Sequence, residues 1–433
     1  MRMTTSDSNE KSRQLLLSLF ETAIDAARPS HILSAYLPPP PKNRLVIIAI
    51  GKAAAAMAAE AERHYAGHPI EGIALTRHGH SHGITLRHIA LHEAGHPVPD
   101  HFGETASRKI MELASELSQG DLALVLISGG GSALASLPLE GISLSDKQNL
   151  TRDLLASGAP IQDINTVRKH LSLIKGGRLA KALYPASIIT LAISDVAGDK
   201  PSIIASGPTV PDPTTRADAL TVLKKWNVEP PANVLDAMSQ ATETPDRTDP
   251  VFADTSFTVI ASGAVSLKAA AEVARKNGYD ILDLGDRLGG EARDVARHHA
   301  ALALNAKAQG RKLAILSGGE VSVTFEKNGP DTPRGGPNQE YALALAITLK
   351  GTENICALAG DTDGIDGGSG AADDPAGAMV FPDTLRRASV AGHQPTRLLE
   401  AHASGSFFAS LGDLVQTGPS HTNVNDFRII LVG

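Results

Sequence analysis

An apolar run that ends in a serine and three adjacent glycines constrains the fold of this chain most. The run is LALVLISGGGS at residues 122–132, and a shortened version, KLAILSGGE, recurs at residues 312–320. Apolar residues at every position predict a strand covered on both faces, as in a parallel sheet. Glycines after such a strand allow a sharp turn whose backbone N–H groups can face an anion. Because ligands bind at this edge of open α/β sheets, the pattern predicts a phosphate-binding protein with two such edges facing one cleft.

Length, charge and cysteine content narrow the class of protein. The 433 residues are too many for one ordinary core, so two domains are expected. A formal net charge of -7 argues against a nucleic-acid-binding protein, which normally has a basic face. No apolar run approaches membrane-spanning length, and the polar start of the chain lacks the apolar core of a secretion signal. The single cysteine, Cys356, cannot form an internal disulfide, which predicts a cytoplasmic protein.

Strand-like and helix-like segments alternate along the chain, with one interruption. Residues 230–231 and 242–250 are rich in proline and polar residues and have no apolar periodicity, which indicates a linker. The alternation predicts an α/β protein of two α/β domains with largely parallel sheets, at residues 1–245 and 246–433. The predicted strands include residues 44–50, 71–76, 87–93, 122–127, 187–195, 257–261, 280–284, 312–316, 355–359 and 428–432, and the predicted helices include 10–27, 101–117, 145–156, 161–173, 265–277, 291–308 and 341–349.

Nine short motifs carry a resemblance to a known family. They are AIGK (49–52), AGHPVP (94–99), SGGGSA (128–133), KGGR (175–178), ISDV (193–196), ASGPT (205–209), SGGE (317–320), RGGPNQE (334–340) and AGDTDGID (359–366). Together they resemble the class II glycerate 2-kinase family, and the last group resembles its C-terminal module, known as MOFRL. The resemblance runs from the first predicted helix to the end of the chain.

The resemblance implies a Rossmann-like N-terminal domain, a MOFRL-type C-terminal domain and an active site in the interdomain cleft. Family members are similar in phosphorylating D-glycerate with ATP and a divalent metal, which gives 2-phosphoglycerate. We therefore expect ATP and Mg²⁺ as cofactors, a small hydroxy acid as substrate, and a monomer or homodimer without nucleic-acid or membrane partners. Some relatives from tartrate-utilisation clusters carry the name hydroxypyruvate reductase, so the resemblance alone leaves the reaction open.

Positive charge and backbone N–H groups are what phosphoryl transfer requires of a protein. Lys52 follows a predicted strand and one glycine, which places it at the ligand-binding edge, and the resemblance implies a catalytic phosphate contact. A solvated lysine is the alternative, although a cation at a helix start is unfavourable unless an anion is nearby. The predicted ATP-phosphate loop is Ser128, Gly129, Gly130, Gly131 and Ser132, against the alternative of a tight turn without a ligand. This loop lacks the lysine and spacing of a P-loop.

Two groups of aspartates are candidates for the metal. Asp195 ends a predicted buried strand, and we expect it to be a metal ligand or a partner of the substrate hydroxyl. Asp361 and Asp363 are second candidates in a glycine-rich turn that also contains Asp366. Because aspartates also cap helices and stabilise turns, the turn interpretation is expected to hold for one or two of these three.

The remaining site predictions concern the anionic substrate. Arg334 precedes a predicted helix start, and the resemblance implies an essential arginine there, which we expect to clamp a carboxylate or phosphoryl group; a solvated surface charge is the alternative. His80, Arg168 and Asn425 are predicted substrate contacts, although polar loops and solvated helix charges produce the same residue types.

Two other functions remain open beside glycerate phosphorylation. An NAD(P)H-dependent hydroxypyruvate or tartronate semialdehyde reductase would also need cationic residues for its acid substrate. However, no Gly-x-Gly-x-x-Gly fingerprint joins a strand to a helix in this sequence. A non-catalytic sensor of hydroxy acids or sugar phosphates would leave the lysine, arginine and aspartate candidates without a task.

Overall fold

Contacts within the chain divide it into two units. The computed structural model describes residues 5–324, 335–368, 371 and 373–433. One unit, the parallel-sheet unit, is Pro29–Ile260; the other, the mixed-sheet unit, joins the chain up to Arg28 to Ala261–Gly433. The division therefore differs from the predicted boundary at residues 245 and 246, because the first helix packs with the C-terminal part of the chain and the strand after the linker joins the parallel sheet that precedes it.

The parallel-sheet unit is built on a six-stranded sheet of order β3-β2-β1-β4-β5-β6. Neighbouring strands pair in parallel from β3 through β5. This is the strand order of the dinucleotide-binding Rossmann fold, as the resemblance implied. The strands are Leu45–Ile50 (β1), Ile70–Arg77 (β2), Ile89–Ala94 (β3), Leu122–Ile127 (β4), Ser187–Ser194 (β5) and Thr255–Ser262 (β6). The helices are Pro29–Ile32 (α2), Ala54–His64 (α3), His101–Ser115 (α4), Gly131–Leu134 (α5), Leu144–Ala156 (α6), Ile161–His170 (α7), Arg178–Leu183 (α8), Arg216–Lys225 (α9) and Ala232–Gln240 (α10).

The mixed-sheet unit contains a second six-stranded sheet, of order β13-β12-β11-β14-β9-β7, and a short parallel β8–β10 pair. The strands are Asp280–Asp283 (β7), Gly290–Glu291 (β8), Leu313–Ser317 (β9), Val321–Ser322 (β10), Ile355–Asp361 (β11), Gly377–Val380 (β12), Leu414–Val415 (β13) and Asp426–Val432 (β14). The helices are Thr5–Asp25 (α1), Gly263–Lys276 (α11), Ala292–Ala308 (α12), Pro337–Leu349 (α13), Thr384–Val390 (α14), Pro395–Glu400 (α15) and Ser404–Leu411 (α16).

The expectation of largely parallel sheets holds for the first sheet and not for the second. Among the described residues, four pairings in the second sheet are antiparallel, and only β7 and β9 pair in parallel. In the second sheet, alternate residues of β9, β11 and β14 pack in two separate apolar clusters, one with α12 and α13 and the other with α1 and α11, so helices cover both of its faces. Burial on two faces therefore gives the same sequence pattern whichever way the strands run.

Buried apolar side chains form the core of each unit. β1 and β4 are buried at every residue, as their continuous apolar runs predicted. In the mixed-sheet unit, α1 packs its apolar face against α11 and the sheet, with Phe20 and Phe427 ring centroids 5.8 Å apart. The Ser266 hydroxyl also donates to the Ala23 carbonyl at 2.6 Å. No helix within the described part of the chain is long and apolar enough to cross a membrane.

Candidate functional site

The turns after β1 and β4 meet where the strand order reverses. Residues 50 and 127 end their strands at the same level in the parallel register, so both following turns lie at one sheet edge. The Lys52 N–H donates to the Gly129 carbonyl at 2.8 Å, which joins the two turns. This reversal is where open α/β sheets bind ligands. The structure therefore brings Lys52 and the predicted phosphate loop together.

Two glycines in these turns are required by close packing. Gly51 has φ +132, and a Cβ there would lie 2.2 Å from Ser128 Oγ. Gly130 has φ +80, and a Cβ there would lie 3.1 Å from His96 Cδ2 and 3.3 Å from Lys52 Cγ. Gly130 therefore lies close to both Lys52 and His96. Close packing and positive φ explain why glycine is needed at residues 51 and 130.

The five residues of the predicted phosphate loop separate into two groups. Ser128 is fully buried, and its Oγ accepts the Ala53 N–H at 2.9 Å, so its side chain stabilises the turn. Gly129 and Gly131 are also buried in the turn. Gly130 and Ser132 line the pocket described next. These two residues therefore face the pocket, and the phosphate-binding role of the whole loop stays a prediction.

A pocket of about 410 Å³ opens beside this turn within the parallel-sheet unit. Its polar lining includes His96, Ser132, Lys147, Arg168 and Lys175, and its apolar lining includes Val98, Leu144 and Leu155. No aspartate or glutamate is among the described residues that line it. A pocket with several cationic side chains and no carboxylate attracts anions. We refer to it below as the oxyanion pocket.

Local sequence positions the three central cations of this pocket. Ser143 and Asp146 form a capping box that begins α6, which places Lys147 on the first turn of that helix. Arg168 lies in the last turn of α7. Lys175 precedes α8 and donates to the Ser132 carbonyl at 2.8 Å and the Ala135 carbonyl at 2.6 Å. Lys175 therefore also fixes the α5 turn.

Burial lowers the affinity of the three cations for protons. Lys147 is 5% exposed, and desolvation together with the charge of Arg168 lowers its pKa to about 7. Desolvation also lowers the pKa of Lys175 well below its usual value and lowers the pKa of Arg168. None of the three forms a salt bridge with another described residue. An anion in the pocket would therefore favour protonation of the two lysines.

This linkage predicts that anion binding weakens as the pH rises. Because the pKa of Lys147 is lowered to about 7, the lysine is protonated below that pH and loses its charge above it. We expect the affinity for sulfate, whose charge is constant in this range, to fall by up to about tenfold per pH unit between about pH 7 and pH 9. Calorimetric titration would measure this, and Lys147→Met should flatten the dependence. An affinity that stays constant with pH would contradict the assignment.

Two other predicted residues of this unit lie outside the lining of the pocket. Asp195 is half-buried and directly follows β5, so it lies at the same edge of the sheet as the turns after β1 and β4. His80 is buried in the loop after β2, where its N–H donates to the Arg77 carbonyl at 3.0 Å. Neither residue lines the oxyanion pocket.

The remaining predicted residues belong to the mixed-sheet unit. Asp361 Oδ1 accepts the Asp363 N–H at 2.9 Å, and Asp363 Oδ1 accepts the Ile365 N–H at 2.9 Å. These are Asx turns, which supports the turn interpretation for both residues. The Asn425 carbonyl accepts the Thr362 hydroxyl at 2.6 Å. Arg334 lies outside the described residues.

Asp366 has a structural role in the same unit. Its carboxylate accepts the N–H groups of Asn338 at 3.0 Å and Gln339 at 2.9 Å, which caps the N-terminus of α13. Asn338 also donates to Asp426, which is paired with Arg428 at 2.8 Å. Desolvation raises the pKa of Asp366 to about 7. Within the described ranges, no three His, Cys, Asp or Glu side chains form a group that could hold a metal ion.

Sequence reasoning did not single out Lys147 and Lys175 as site residues. Lys175 had a detectable signal, because it opens the Lys-Gly-Gly-Arg motif at residues 175–178. Lys147 had none, since a lysine two residues after a predicted helix start is an ordinary surface residue. Only the packing of α6 against α7 and the turns of the sheet reveals that this amine is buried.

Comparisons with known proteins agree with the fold and identify the family. Residues 15–239 match the family described as "Domain of unknown function (DUF4147)", and residues 313–426 match the MOFRL family. The chain is 45% identical over 436 residues to an Agrobacterium vitis protein provisionally named hydroxypyruvate reductase, covering 100% of this chain and 97% of that protein. It is 38% identical to a Thermotoga maritima protein named D-glycerate 2-kinase, covering 98% and 99% of the two chains.

A solved structure extends the comparison to the whole fold. The crystal structure of glycerate kinase from Thermotoga maritima superposes with a TM-score of 0.87 at 37% identity, covering 98% of this chain and 100% of that one. These comparisons therefore extend over both units of the chain. The chain belongs to the DUF4147 and MOFRL family, the family of the glycerate kinases that it resembles.

Proposed function

We propose that this protein transfers the γ-phosphoryl group of ATP to the 2-hydroxyl of D-glycerate. One observation carries the proposal: the Lys52 turn lies beside a pocket whose described lining includes several cations and no carboxylate, at the reversal of the strand order. Both the phosphates of ATP and the carboxylate of glycerate are anions that such a site attracts. The names of the relatives from Thermotoga maritima support the same reaction.

Each part of the site has a task in this reaction. Lys52, Gly130 and Ser132 contact the phosphates of ATP, and Arg168 with Lys147 holds the glycerate carboxylate. The 2-oxygen of glycerate forms a bond to the γ-phosphorus while the bond from that phosphorus to the bridging oxygen breaks, and the hydroxyl proton is released. Cations around the moving group lower the barrier because they balance negative charge on its oxygens.

Mg²⁺ fits the oxygen donors at this edge of the sheet. Asp195, directly after β5, offers a carboxylate, which together with phosphate oxygens is the usual environment of Mg²⁺. When bound, the ion would neutralise charge on the phosphates. Asp361 and Asp363 remain second candidates, and Arg334 remains the expected second catalytic cation.

A pair of assays tests the reaction directly. The protein is incubated with D-glycerate, ATP and Mg²⁺ while ADP release is followed, and separately with hydroxypyruvate and NADH or NADPH while nucleotide absorbance is followed. We expect ADP release without loss of NADH or NADPH, and product analysis should identify 2-phosphoglycerate. Reduction of hydroxypyruvate without ADP release would overturn the proposal. No reaction in either assay would favour the sensor function instead.

The reductase remains the second candidate because of one comparison. The Agrobacterium vitis relative with the provisional reductase name is more similar in sequence than the Thermotoga maritima kinase. The Rossmann strand order would also suit a nicotinamide nucleotide, but the same fold carries many unrelated functions. The turn after β1 reads Gly51-Lys52-Ala53-Ala54 and lacks the glycine fingerprint of dinucleotide binding. This local sequence favours the kinase.

Arg168 provides a test of where the substrate carboxylate binds. In Arg168→Met the charge is removed and the length of the side chain is approximately retained. We expect kcat/KM for D-glycerate to fall by about 10- to 100-fold, chiefly through KM, because a charge-assisted hydrogen bond is lost. Arg152→Met is the matched control, since Arg152 lines the same pocket but is exposed and bonded to Asn149. Equal effects of the two substitutions would contradict the role of Arg168.

The location and oligomeric state of the protein are further parts of the proposal. We propose a cytoplasmic protein on the basis of its single, buried cysteine. We also propose that it acts as a monomer or homodimer on a small molecule. Sedimentation of the purified protein would distinguish the two oligomeric states.

A further inference from the structure

Lys147 differs from the other lysine of the oxyanion pocket in how its amine is bonded. Lys175 is 1% exposed and donates to two backbone carbonyls at 2.8 and 2.6 Å. Lys147 lines the same pocket, and its one described hydrogen bond is a long one of 3.4 Å to Ser136 Oγ. The Lys147 amine is therefore held less tightly than that of Lys175, and the residue forms part of the wall of the space that a ligand would fill.

The surroundings of Lys147 favour its uncharged form. The charged and titratable groups around it are Arg152 on its own helix, Arg168 on α7, Lys175 before α8, His96 in the loop after β3, and Glu104 on α4. Desolvation and Arg168 lower the pKa of Lys147, and only Glu104 opposes them. Uncharged lysine amines are nucleophiles, and this environment resembles the one that enzymes use to activate lysine.

We propose that Lys147 captures short 2-oxo acids as a reversible imine inside the oxyanion pocket. Nζ attacks the carbonyl carbon and forms a C–N bond, and the carbonyl oxygen leaves as water together with both amine hydrogens. Arg168 favours an acid whose carboxylate adjoins the carbonyl, because its positive charge holds the carboxylate beside Nζ. The site goes beyond phosphoryl transfer, since no phosphate takes part.

Hydroxypyruvate is the 2-oxo acid that the pocket should capture best. It has the carbon skeleton of glycerate with a carbonyl in place of the 2-hydroxyl. This choice of ligand rests on the proposed function, because it assumes that the pocket accepts glycerate. Capture would block the pocket, so hydroxypyruvate would inhibit phosphorylation in a time-dependent and reversible way.

Reductive trapping tests the proposal on the full chain. The protein is incubated with hydroxypyruvate and sodium cyanoborohydride, which delivers hydride to the imine carbon and leaves a stable secondary amine. Peptide mass spectrometry then locates and quantifies the adduct. We expect Lys147 to be modified at least about tenfold more than the exposed Lys109, because an amine of ordinary lysine pKa is about 10³-fold less deprotonated near neutral pH.

Two further measurements use the unsubstituted protein, so they do not depend on the folding of a variant. Trapping at Lys147 should rise with pH through about 7, and sulfate should protect this residue alone. Lys147→Met should remove the dominant adduct, whereas Lys109→Arg should leave it. Modification in proportion to exposure, or an unmodified Lys147, would overturn the proposal. The adduct is measured without ATP, so this outcome is independent of whether ADP release is observed.

Discussion

Replacement of Lys52 by methionine should reduce kcat/KM for ATP-dependent phosphorylation of D-glycerate by about 10³-fold or more. Lys52 directly follows Gly51 at the end of β1, and its N–H is bonded to the Gly129 carbonyl, so its stem begins from a fixed backbone position. Methionine keeps the length of the side chain and removes the charge. Because the negative charge that develops on the phosphoryl oxygens is then less balanced, we expect the loss mainly in kcat.

Lys42→Met is the matched control for this substitution. Lys42 is an exposed lysine that precedes β1, whereas Lys52 follows the same strand at the opposite end. The control should retain full activity, and both variants should unfold at the urea concentration of the unsubstituted protein. If Lys52→Met kept more than about a tenth of the activity, Lys52 would not be the phosphate contact that the proposal requires.

Replacement of Gly51 by alanine should disrupt the turn and lower stability together with activity. The added Cβ would lie 2.2 Å from Ser128 Oγ and 2.4 Å from the Ser128 carbonyl oxygen, which are separations that no side chain can adopt. The residue also has φ +132, which is unfavourable for alanine. We expect the free energy of unfolding to fall by about 3–5 kcal/mol, since the clash adds to backbone strain. Urea unfolding would measure the change.

Gly67→Ala separates the clash from the backbone strain. Gly67 also has positive φ, +90, but no heavy atom lies within 4 Å of a Cβ built there. We expect this control to lose only about 1–2 kcal/mol and to retain its activity. Gly51→Ala should also lose about 100-fold or more in kcat/KM, because displacement of the turn moves Lys52. Equal stability of the two variants would show that the Gly51–Ser128 contact can relax.

The sequence predicted the strands and helices better than the way in which they pair and pack. The continuous apolar runs of β1 and β4 identified them as buried strands, and the glycines after them identified the turns. However, the same pattern predicted a largely parallel second sheet, which is mostly antiparallel. Apolar runs report burial on two faces and carry no information about direction. In the same way, the periodicity of α1 predicted a helix but not that it packs with α11, more than 230 residues later.

In the candidate site, too, local features were visible in the sequence and features that depend on packing were not. The position of Lys52 after a strand and one glycine was visible in the sequence, because the chemistry of that turn is local. Phosphate binding by the loop of residues 128–132 stays a prediction, and the sequence did not indicate that the Ser128 hydroxyl accepts the Ala53 N–H and so stabilises the turn. Lys147 looked like a surface residue, because its burial depends on contacts that the local sequence does not specify.

Local sequence by itself thus determined the buried strands, the glycine turns after them and the position of Lys52, since each follows from periodicity or from backbone conformation at a few adjacent residues. Only the tertiary structure decided that β1 lies beside β4, that α1 belongs to the mixed-sheet unit, and that Lys147, Arg168 and Lys175 line one pocket. Strand order and helix docking bring these three cations together from separate elements. Their lowered pKa values follow from the desolvation that this packing imposes.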